Sequence, residues 1–542
     1  MAFKVFDPIE FQGIATVRTF LYKYRGVLFF AALLLLLLAA SGCATLPTGF
    51  ERPPSHAFSD TRDTRIGRDV AGDIAEHPGK SGFFLLSSGL GAFVARALLA
   101  HFAERGIDVQ YYLYHDDLVG RLFTHQLLKA ADRGVRVRLL LDDMDLEGRD
   151  SGVAALDAHP HIEVRIFNPF SRKAGRVSQF VTRLGSVTRR MHNKSFTVDN
   201  QATILGGRNI GDEYFEADPD LAFGDLDVMA IGPVAEQVSA SFDRYWNSPS
   251  AYPAAVLRDQ PVPAGEVERM RLELEKFVRR QDDSAYLQAL ENSSLARKLR
   301  ADEVVFLWGE ADVIYDLPEK IQHGFDKTEY HLSPKLIPYL KSIEEELVIF
   351  SPYFVPGKEG TAFLSDLARR GVRVRILTNS LASNDVPIVH AGYAKYRKDL
   401  LRAGVELFEM NKKLPREERK GKNGPGGSSK ASLHAKSFVF DRRQVFIGSL
   451  NLDARAVLHN TEIGVVFNQP EIAAVMSDWV DRHIETVAFR LELVGTENGP
   501  AKILWRGWVD GELKTFEADP YTSFWQRLGI GFLGLLPIES QL

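Results

Sequence analysis

Cysteine is nearly missing: the 542 residues contain one, Cys43. No intramolecular disulfide can form, and zinc sites built on several cysteines are excluded. The fourteen histidines include no H-x-x-x-H or H-E-x-x-H pair, so a helix-borne metal site is not predicted either. The chain also lacks a strong excess of one charge. A net charge of −5 gives no global attraction to nucleic acid or to an anionic membrane, and any such attraction must be local. Long hydrophobic runs are absent but for Val27–Ala40, which is shorter than the roughly 20 residues a helix needs to span a bilayer. A hydrophobic content of 45% and a charged content of 25% are those of an ordinary globular protein. The length predicts two or three domains.

The one apolar run follows Arg18, Lys23 and Arg25 and precedes Ala40-Ser41-Gly42-Cys43. A basic region, a short apolar region and small residues before a lone cysteine look like a bacterial lipoprotein signal. Residues 1–42 are read as the signal peptide and Cys43 as the lipidated first residue of the mature chain. An uncleaved membrane anchor is the alternative. The expected location is the bacterial cell envelope, lipid-anchored on the periplasmic side, with Ala44 favouring the outer membrane. Residues 43–81, rich in Pro, Ser and Thr at their start, are read as a tether.

One stretch occurs twice. Met191–Asn209 reads MHNKSFTVDNQATILGGRN, and Leu433–Asn451 reads LHAKSFVFDRRQVFIGSLN. Each carries a His, a Lys two residues later, an Asp at seven, a Gly-Gly or Gly-Ser pair at fourteen and an Asn at seventeen. These are His192, Lys194, Asp199 and Asn209, then His434, Lys436, Asp441 and Asn451. Upstream, ADRGVRVRLL and ARRGVRVRIL also match, each reading as a helix end, a Gly stop and an alternating strand. A repeat this long is a duplicated domain rather than a solenoid. The alternation of strand and helix predicts an α/β class with mixed sheets. The expected domains are a first half over 82–250, a connector over 251–332, a second half over 333–490 and a tail over 491–542.

The paired H-x-K-x4-D motifs resemble the phospholipase D superfamily. FLLSSGLGAFVARALLA, DVQYYLYHDD, RRMHNKSFTVDNQATILGGRNIGDEYF and FLGLLPIE are most similar to its cardiolipin synthase C branch. The resemblance implies two sandwich halves with the active site at their pseudo-twofold interface. It also implies phosphatidyl transfer onto phosphatidylglycerol through a phosphohistidine, with His192 as the nucleophile. Phospholipid substrates and a membrane surface are the expected partners. Nucleic acid and a cofactor are not expected, and no protein partner is specified.

The residue types suit that chemistry. Displacement at phosphorus needs a nucleophile on one side and a proton donor on the other, so one His from each half divides the work. Residues i and i+2 of a strand share a face, which turns His192 with Lys194, and His434 with Lys436, toward one pocket. The Lys pair with Asn209 and Asn451 would hold the non-bridging oxygens. Asp199 and Asp441, at odd offsets, face away and are expected to be structural. A catalytic His is usually oriented by an acid on its far nitrogen. Aligning DLDV with EIGV makes Asp225 and Glu462 equivalent. Asp225 is assigned to His192 and Glu462 to His434, with Asp227 as a competitor in the first half. A hydrolase (phospholipase D or nuclease) and an inactive lipoprotein scaffold are the rival readings.

Three stretches are left over. Ser171–Arg190 carries Arg172, Lys173, Arg176, Arg183, Arg189 and Arg190 without an acid, and is read either as a solvated loop or as a collar for anionic headgroups. Asn411–Lys430 is basic and Gly-rich, placed where an entrance loop would sit. In Ser523–Leu536 the residues Phe524, Trp525, Leu528, Phe532, Leu535 and Leu536 share a helical face. That face either packs on the protein's own core or lies on a bilayer.

Overall fold

The computed structural model describes residues 45–534 except 184, 219–220, 259–260, 302, 414–429 and 497–498. Cys43 and the apolar run, most of the second basic stretch, and Leu535 and Leu536 lie outside the described residues.

Among the described residues, 45–50 and 169–188 form a small unit. Its helix Arg176–Thr182 carries Gln179. The Gln179 amide bonds both the N–H (2.8 Å) and the carbonyl (2.9 Å) of Ser171, and the Ser171 hydroxyl donates to Thr45 O at 3.0 Å. Arg172, Lys173, Arg176 and Arg183 belong to this unit.

The other described residues form a second, much larger unit that contains both motif copies. Its strands are β1 Ser81–Leu86, β2 Gly106–Tyr111, β3 Arg136–Asp142, β4 Ile162–Phe167, β5 Ser195–Val198, β6 Ala202–Gly206, β7 Leu221–Gly224, β8 Asp227–Ile231, β9 Ala251–Pro253 and β10 Leu307–Gly309. They continue with β11 Ala311–Tyr315, β12 Glu346–Phe350, β13 Arg373–Asn379, β14 Glu406–Met410, β15 Lys430–Leu433, β16 Ser437–Phe440, β17 Gln444–Gly448, β18 Ile463–Asn468, β19 Ala488–Thr496, β20 Gly499–Val509 and β21 Glu512–Phe516. The helices used below are α1 Gly89–Phe102, α2 Leu118–Asp132, α3 Pro233–Trp246, α4 Glu266–Gln281, α5 Gly357–Arg369, α6 Pro387–Ala394, α7 Pro470–Val487 and α8 Phe524–Leu533.

Two mixed sheets share one plan. The first runs β10-β1-β8-β6-β5-β2-β3-β4-β9 and the second β11-β18-β17-β16-β12-β13-β14-β19-β20-β21. In each, three consecutive strands (β2-β3-β4, β12-β13-β14) are parallel, and the motif hairpin (β5-β6, β16-β17) continues antiparallel from the first of them. The parallel pairs require helical crossovers. α2 and α5 supply two of these, and Gly134 and Gly371 stop them at φ 94° and 95°, where a side chain would be strained. The connector adds β10 to the first sheet and β11 to the second. The stretch from 491, expected as a tail, supplies the rest of β19 with β20 and β21, and buries Trp505 and Val509. Between the sheets lies a shared core in which Phe83, Val228 and Val234 of the first half join Val439, Ile447 and Phe467 of the second. Phe83 stacks on Phe467 with centroids 4.2 Å apart.

The second arginine of each RVR strand is buried. Arg138 bonds Asp108 at 2.7 and 2.8 Å and Asp243 at 2.7 Å. Arg375 bonds Glu346 at 2.7 Å and Asp481 at 2.6 Å. The supposed tether is partly laid down on this half: Arg138 Nη1 donates to Ser55 O at 2.9 Å, and Arg165 Nη2 to Pro53 O at 2.7 Å.

Gly91–Arg105 reads as a helix from its Ala, Leu and Phe spacing and Ser333–Glu346 from its Ser-Pro start, and both helices end early for one reason. α1 ends at Phe102 rather than Arg105, and Gly106 opens β2. The helix expected from Ser333 to Glu346 stops at Lys341, and Leu332 rather than Ser333 takes its N-cap position. In both places the next N–H groups turn onto a motif aspartate. Asp199 accepts from Glu104, Arg105 and Gly106 at 2.8–3.3 Å. Asp441 accepts from Glu344, Glu345 and Glu346 over the same range.

Candidate active site

The site is best built from its backbone. β5 and β16 begin one residue after each motif Lys, so each motif His precedes its strand. Each His is held across the seam between the halves. His192 N donates to Thr461 O at 2.9 Å, and Thr461 N returns a bond to Arg190 O at 2.9 Å. His434 N donates to Gly224 O at 2.8 Å, and just before it β15 pairs in parallel with β7. Thr461 precedes Glu462, and Gly224 precedes Asp225. Each motif His therefore meets, through its backbone, the residue before the other half's carboxylate.

The carboxylates consequently cross. His192 Nδ1 donates to Glu462 at 2.9 and 3.0 Å. His434 Nδ1 donates to Asp225 Oδ2 at 2.6 Å. This corrects the assignment of Asp225 to His192 and Glu462 to His434. The equivalence of the two acids holds, but each serves the histidine of the opposite half. Asp227 is not a competitor, since it pairs with Arg96 at 2.8 Å inside the first half. With Nδ1–H donated to a carboxylate, Nε2 of each ring is left for chemistry.

The glycine pair at offset fourteen makes room for these acids. A Cβ on Gly207 would stand 2.2 Å from Asp225 Oδ1. At the matching position Ser449 instead donates its hydroxyl to Glu462. Glu462 N donates to Asp316 at 2.8 Å, and Asp316 pairs with Lys320 at 3.0 Å.

Lys194 and Lys436 are buried, and each donates Nζ to the carbonyl of its own motif His at 2.6 Å. Burial lowers both, Lys436 to about 8 and Lys194 well below the usual ammonium range, although Glu462 and Asp225 oppose the shift. His192 lies well below the ordinary imidazole value because of burial and then Lys194, Lys436 and His434. His434 is lowered by burial and Lys436 and held up by Asp225. The acids diverge. Burial pushes Asp225 up, but His434, Lys436 and Arg208 outweigh it and bring it to about 2. Burial pushes Glu462 well up, and Lys194 and Ser449 only partly offset this. The His434 side thus carries the firmer negative charge.

Aromatic rings wall both histidines, and none was anticipated from the motifs. Tyr112 packs edge-on to His192 with centroids 5.0 Å apart. Tyr214 does the same to His434 at 5.0 Å, and Phe223 stacks on it at 5.1 Å. Asn209 is occupied in holding Tyr214: its amide donates to the Tyr214 hydroxyl at 2.8 Å and accepts from Leu113 N at 3.3 Å. Asn451 is buried, and its Oδ1 has no partner among the described residues. Of the basic stretch before the first motif, Arg190 is buried against Asp142 at 2.9 Å and Arg189 donates to Ile321 O at 3.1 Å. These two are spent within the protein rather than offered to a headgroup. Among the described residues one group has the spacing of metal ligands, His115, Asp117 and Glu213. Asp117 is already engaged, since it caps α2 at Gly120 N (2.8 Å) and accepts from Asp212 N (2.8 Å).

Asp199 and Asp441 stand apart from the histidines. Both sit in the left-handed region, at φ 51° and 50°, which Asp tolerates better than most residues. Asp199→Ala strands three N–H groups, and we expect it to cost about 2 kcal/mol or more. A melting curve should show the loss, while the folded fraction keeps its specific activity within a few-fold. Loss of activity without loss of stability would instead place Asp199 in the chemistry.

The comparisons agree with this architecture. The family described as "Cardiolipin synthase, PLD-like domain" matches residues 98–246 and again 336–484. The chain is 43% identical over 483 residues to cardiolipin synthase C of Escherichia coli (strain K12), covering 88% of this chain and 99% of that protein. It is 34% identical to an uncharacterized protein of Helicobacter pylori (strain J99), covering 90% and 95%. Among solved structures, phosphatidylserine synthase of Haemophilus influenzae superposes with a TM-score of 0.52 at 14% identity, covering 79% of this chain and 92% of that one; this similarity speaks to the fold. Two matched copies and a full-length relative decide the family: the chain belongs to the cardiolipin synthase, phospholipase D-like family.

Proposed function

We propose that the protein is a phosphatidyltransferase that moves a phosphatidyl group from one phospholipid onto a hydroxyl of phosphatidylglycerol. The observation that carries this reading is the crossed pair His192–Glu462 and His434–Asp225, one histidine from each half. His192, held neutral by burial and two lysines, attacks phosphorus through Nε2. The bond to the headgroup oxygen breaks, and His434 gives that oxygen its proton. An incoming hydroxyl then loses its proton to His434, its oxygen attacks phosphorus, and the P–N bond to His192 breaks. Lys194 and Lys436 stabilise the non-bridging oxygens. Purified protein given labelled phosphatidylethanolamine and phosphatidylglycerol should form cardiolipin. Phosphatidic acid alone would make it a hydrolase, and neither product would make it a scaffold.

The reading includes a membrane surface. No described helix is long and apolar enough to cross a bilayer, but α8 presents Phe524, Trp525, Leu528 and Phe532 at 63, 75, 53 and 66% exposure. Its capping box at Ser523 and Gln526 makes it a well-defined helix, and it rests on α6. Such a face suits the headgroup boundary of a bilayer. In a chain lacking residues 1–43, deleting Phe524–Leu542 should abolish liposome binding at an unchanged melting temperature. Persistent binding, or a large fall in melting temperature, would remove the interfacial reading of α8. Cys43 is proposed as the lipid anchor. Cys43→Ser should leave an uncleaved precursor without lipid label, and normal processing of that variant would remove the proposal.

A further inference from the structure

The two halves end their matching strands in loops that each carry an aspartate, and the two aspartates differ in charge balance. After β3, Asp145 accepts from Arg149 at 3.0 Å and lies 3.6 Å from His115 Nε2. After β13, the exposed Asp385 is held at both oxygens by the Tyr353 hydroxyl, at 2.8 Å each. No Lys, Arg or His among the described residues pairs with Asp385.

Tyr353 follows Pro352, the counterpart of the Tyr112 that packs on His192. The loop is tied to the second motif, since Ser383 bonds Asn379 and Asn379 bonds both the N–H and the carbonyl of Leu433 at 2.9 Å, which puts Asp385 at the rim of the site. Its charge is felt within: it raises Lys436 and also Tyr214, the ring that walls His434. A carboxylate that no cation among the described residues pairs, set beside a phosphate subsite, favours a bound molecule that brings a donor or a cation to it. Tyr353 supplies one O–H, which fixes the carboxylate without neutralising it and leaves lone pairs for a ligand.

From this geometry we infer that Asp385 and Tyr353 form a headgroup subsite on the His434 side, which takes an alcohol carrying a further O–H or N–H donor. The inference rests on the reading that His434 protonates and deprotonates that alcohol. The subsite then reads the part of the headgroup beyond the reacting oxygen, a glycerol hydroxyl or an aminoalcohol ammonium. A headgroup with no such donor displaces water from Asp385 without replacing its hydrogen bonds, and a site that bonds a polar group discriminates against analogues lacking it. Asp145, already neutralised, gives the other side no such demand.

The test measures headgroup release from phosphatidylglycerol, phosphatidylethanolamine and phosphatidylmethanol by the full-length protein, its Asp385→Asn variant and its Tyr353→Phe variant. In wild type, kcat/KM should favour the first two substrates over phosphatidylmethanol. Asp385→Asn should lower that preference tenfold or more, and Tyr353→Phe should lower it by less. A larger loss with phosphatidylethanolamine identifies the ammonium as the contact, and a larger loss with phosphatidylglycerol identifies the hydroxyls. Equal loss on all three substrates would show a merely structural role and overturn the subsite, as would an unchanged preference. A wild-type protein inert on all three would overturn the phosphatidyltransferase reading and the subsite with it.

Discussion

Replacing His192 or His434 by alanine should each abolish turnover, by about a hundred-thousand-fold, with the melting temperature little changed. Residues that act as one unit lose nearly all of their joint effect when either is removed, so the double variant should be little worse than either single one. The fold should tolerate the loss. Neither ring belongs to the apolar cores, and the backbone bonds at Thr461 and Gly224 do not depend on the side chains. The two variants should differ in how they fail. Without His192 no covalent intermediate can form on any substrate. Without His434 the nucleophile survives, and a donor with a nitrophenol leaving group, which needs no proton, should still phosphorylate His192 and then stall. Quenching with labelled donor distinguishes the two: acid-labile, base-stable label on His434→Ala and none on His192→Ala. The reverse pattern would exchange the roles, and near-normal multiple turnover by either variant would sink the two-histidine mechanism.

Much of this was legible in the sequence because the duplication prints each functional position twice. The parity of offset seven placed Asp199 and Asp441 away from the histidines, and the structure turns both onto backbone N–H groups. The equivalence of Asp225 and Glu462 was visible in the alignment of DLDV with EIGV. The direction of their pairing was not. Alignment says which residues correspond, but not across which seam they meet. That seam is set by carbonyls of Thr461 and Gly224, which carry no side-chain signature. The early ends of two helices were hidden for a related reason: helical periodicity cannot show that the next N–H groups are claimed by an aspartate some 95 residues further along the chain. Features on which the halves disagree were least readable. Tyr112 stands where the second half has Pro352, and Ser449 stands opposite Gly207. A search for repeats records such positions only as mismatches, yet they make the two sides of the pocket chemically different.

The crossed carboxylates lead to the second large effect. Asp225→Asn should lower kcat about a thousandfold on natural donors, comparable in kind to losing the orienting acid of a catalytic triad. It should do so through His434. Asp225 is held at about 2, so it is ionised wherever the enzyme works, and its charge favours a proton on His434. The sign follows. Without that charge the pKa of His434 falls. The alkaline limb of kcat, set where the general acid loses its proton, moves to lower pH. A nitrophenol leaving group should restore the first step in Asp225→Asn, as in His434→Ala, because that step no longer needs the acid. Glu462→Gln should behave differently. Burial already pushes Glu462 up, so the side chain gives His192 less negative charge to lose, and glutamine still offers an acceptor to Nδ1–H. A loss of about tenfold is expected, with little movement of either limb and no rescue by nitrophenol, since the defect lies in the nucleophile. If the acids served the histidines of their own halves, the phenotypes would exchange: nitrophenol would rescue Glu462→Gln and leave Asp225→Asn impaired. Four rate profiles, two variants on two leaving groups, therefore decide whether the seam between the halves is also the line across which the proton and the nucleophile are controlled.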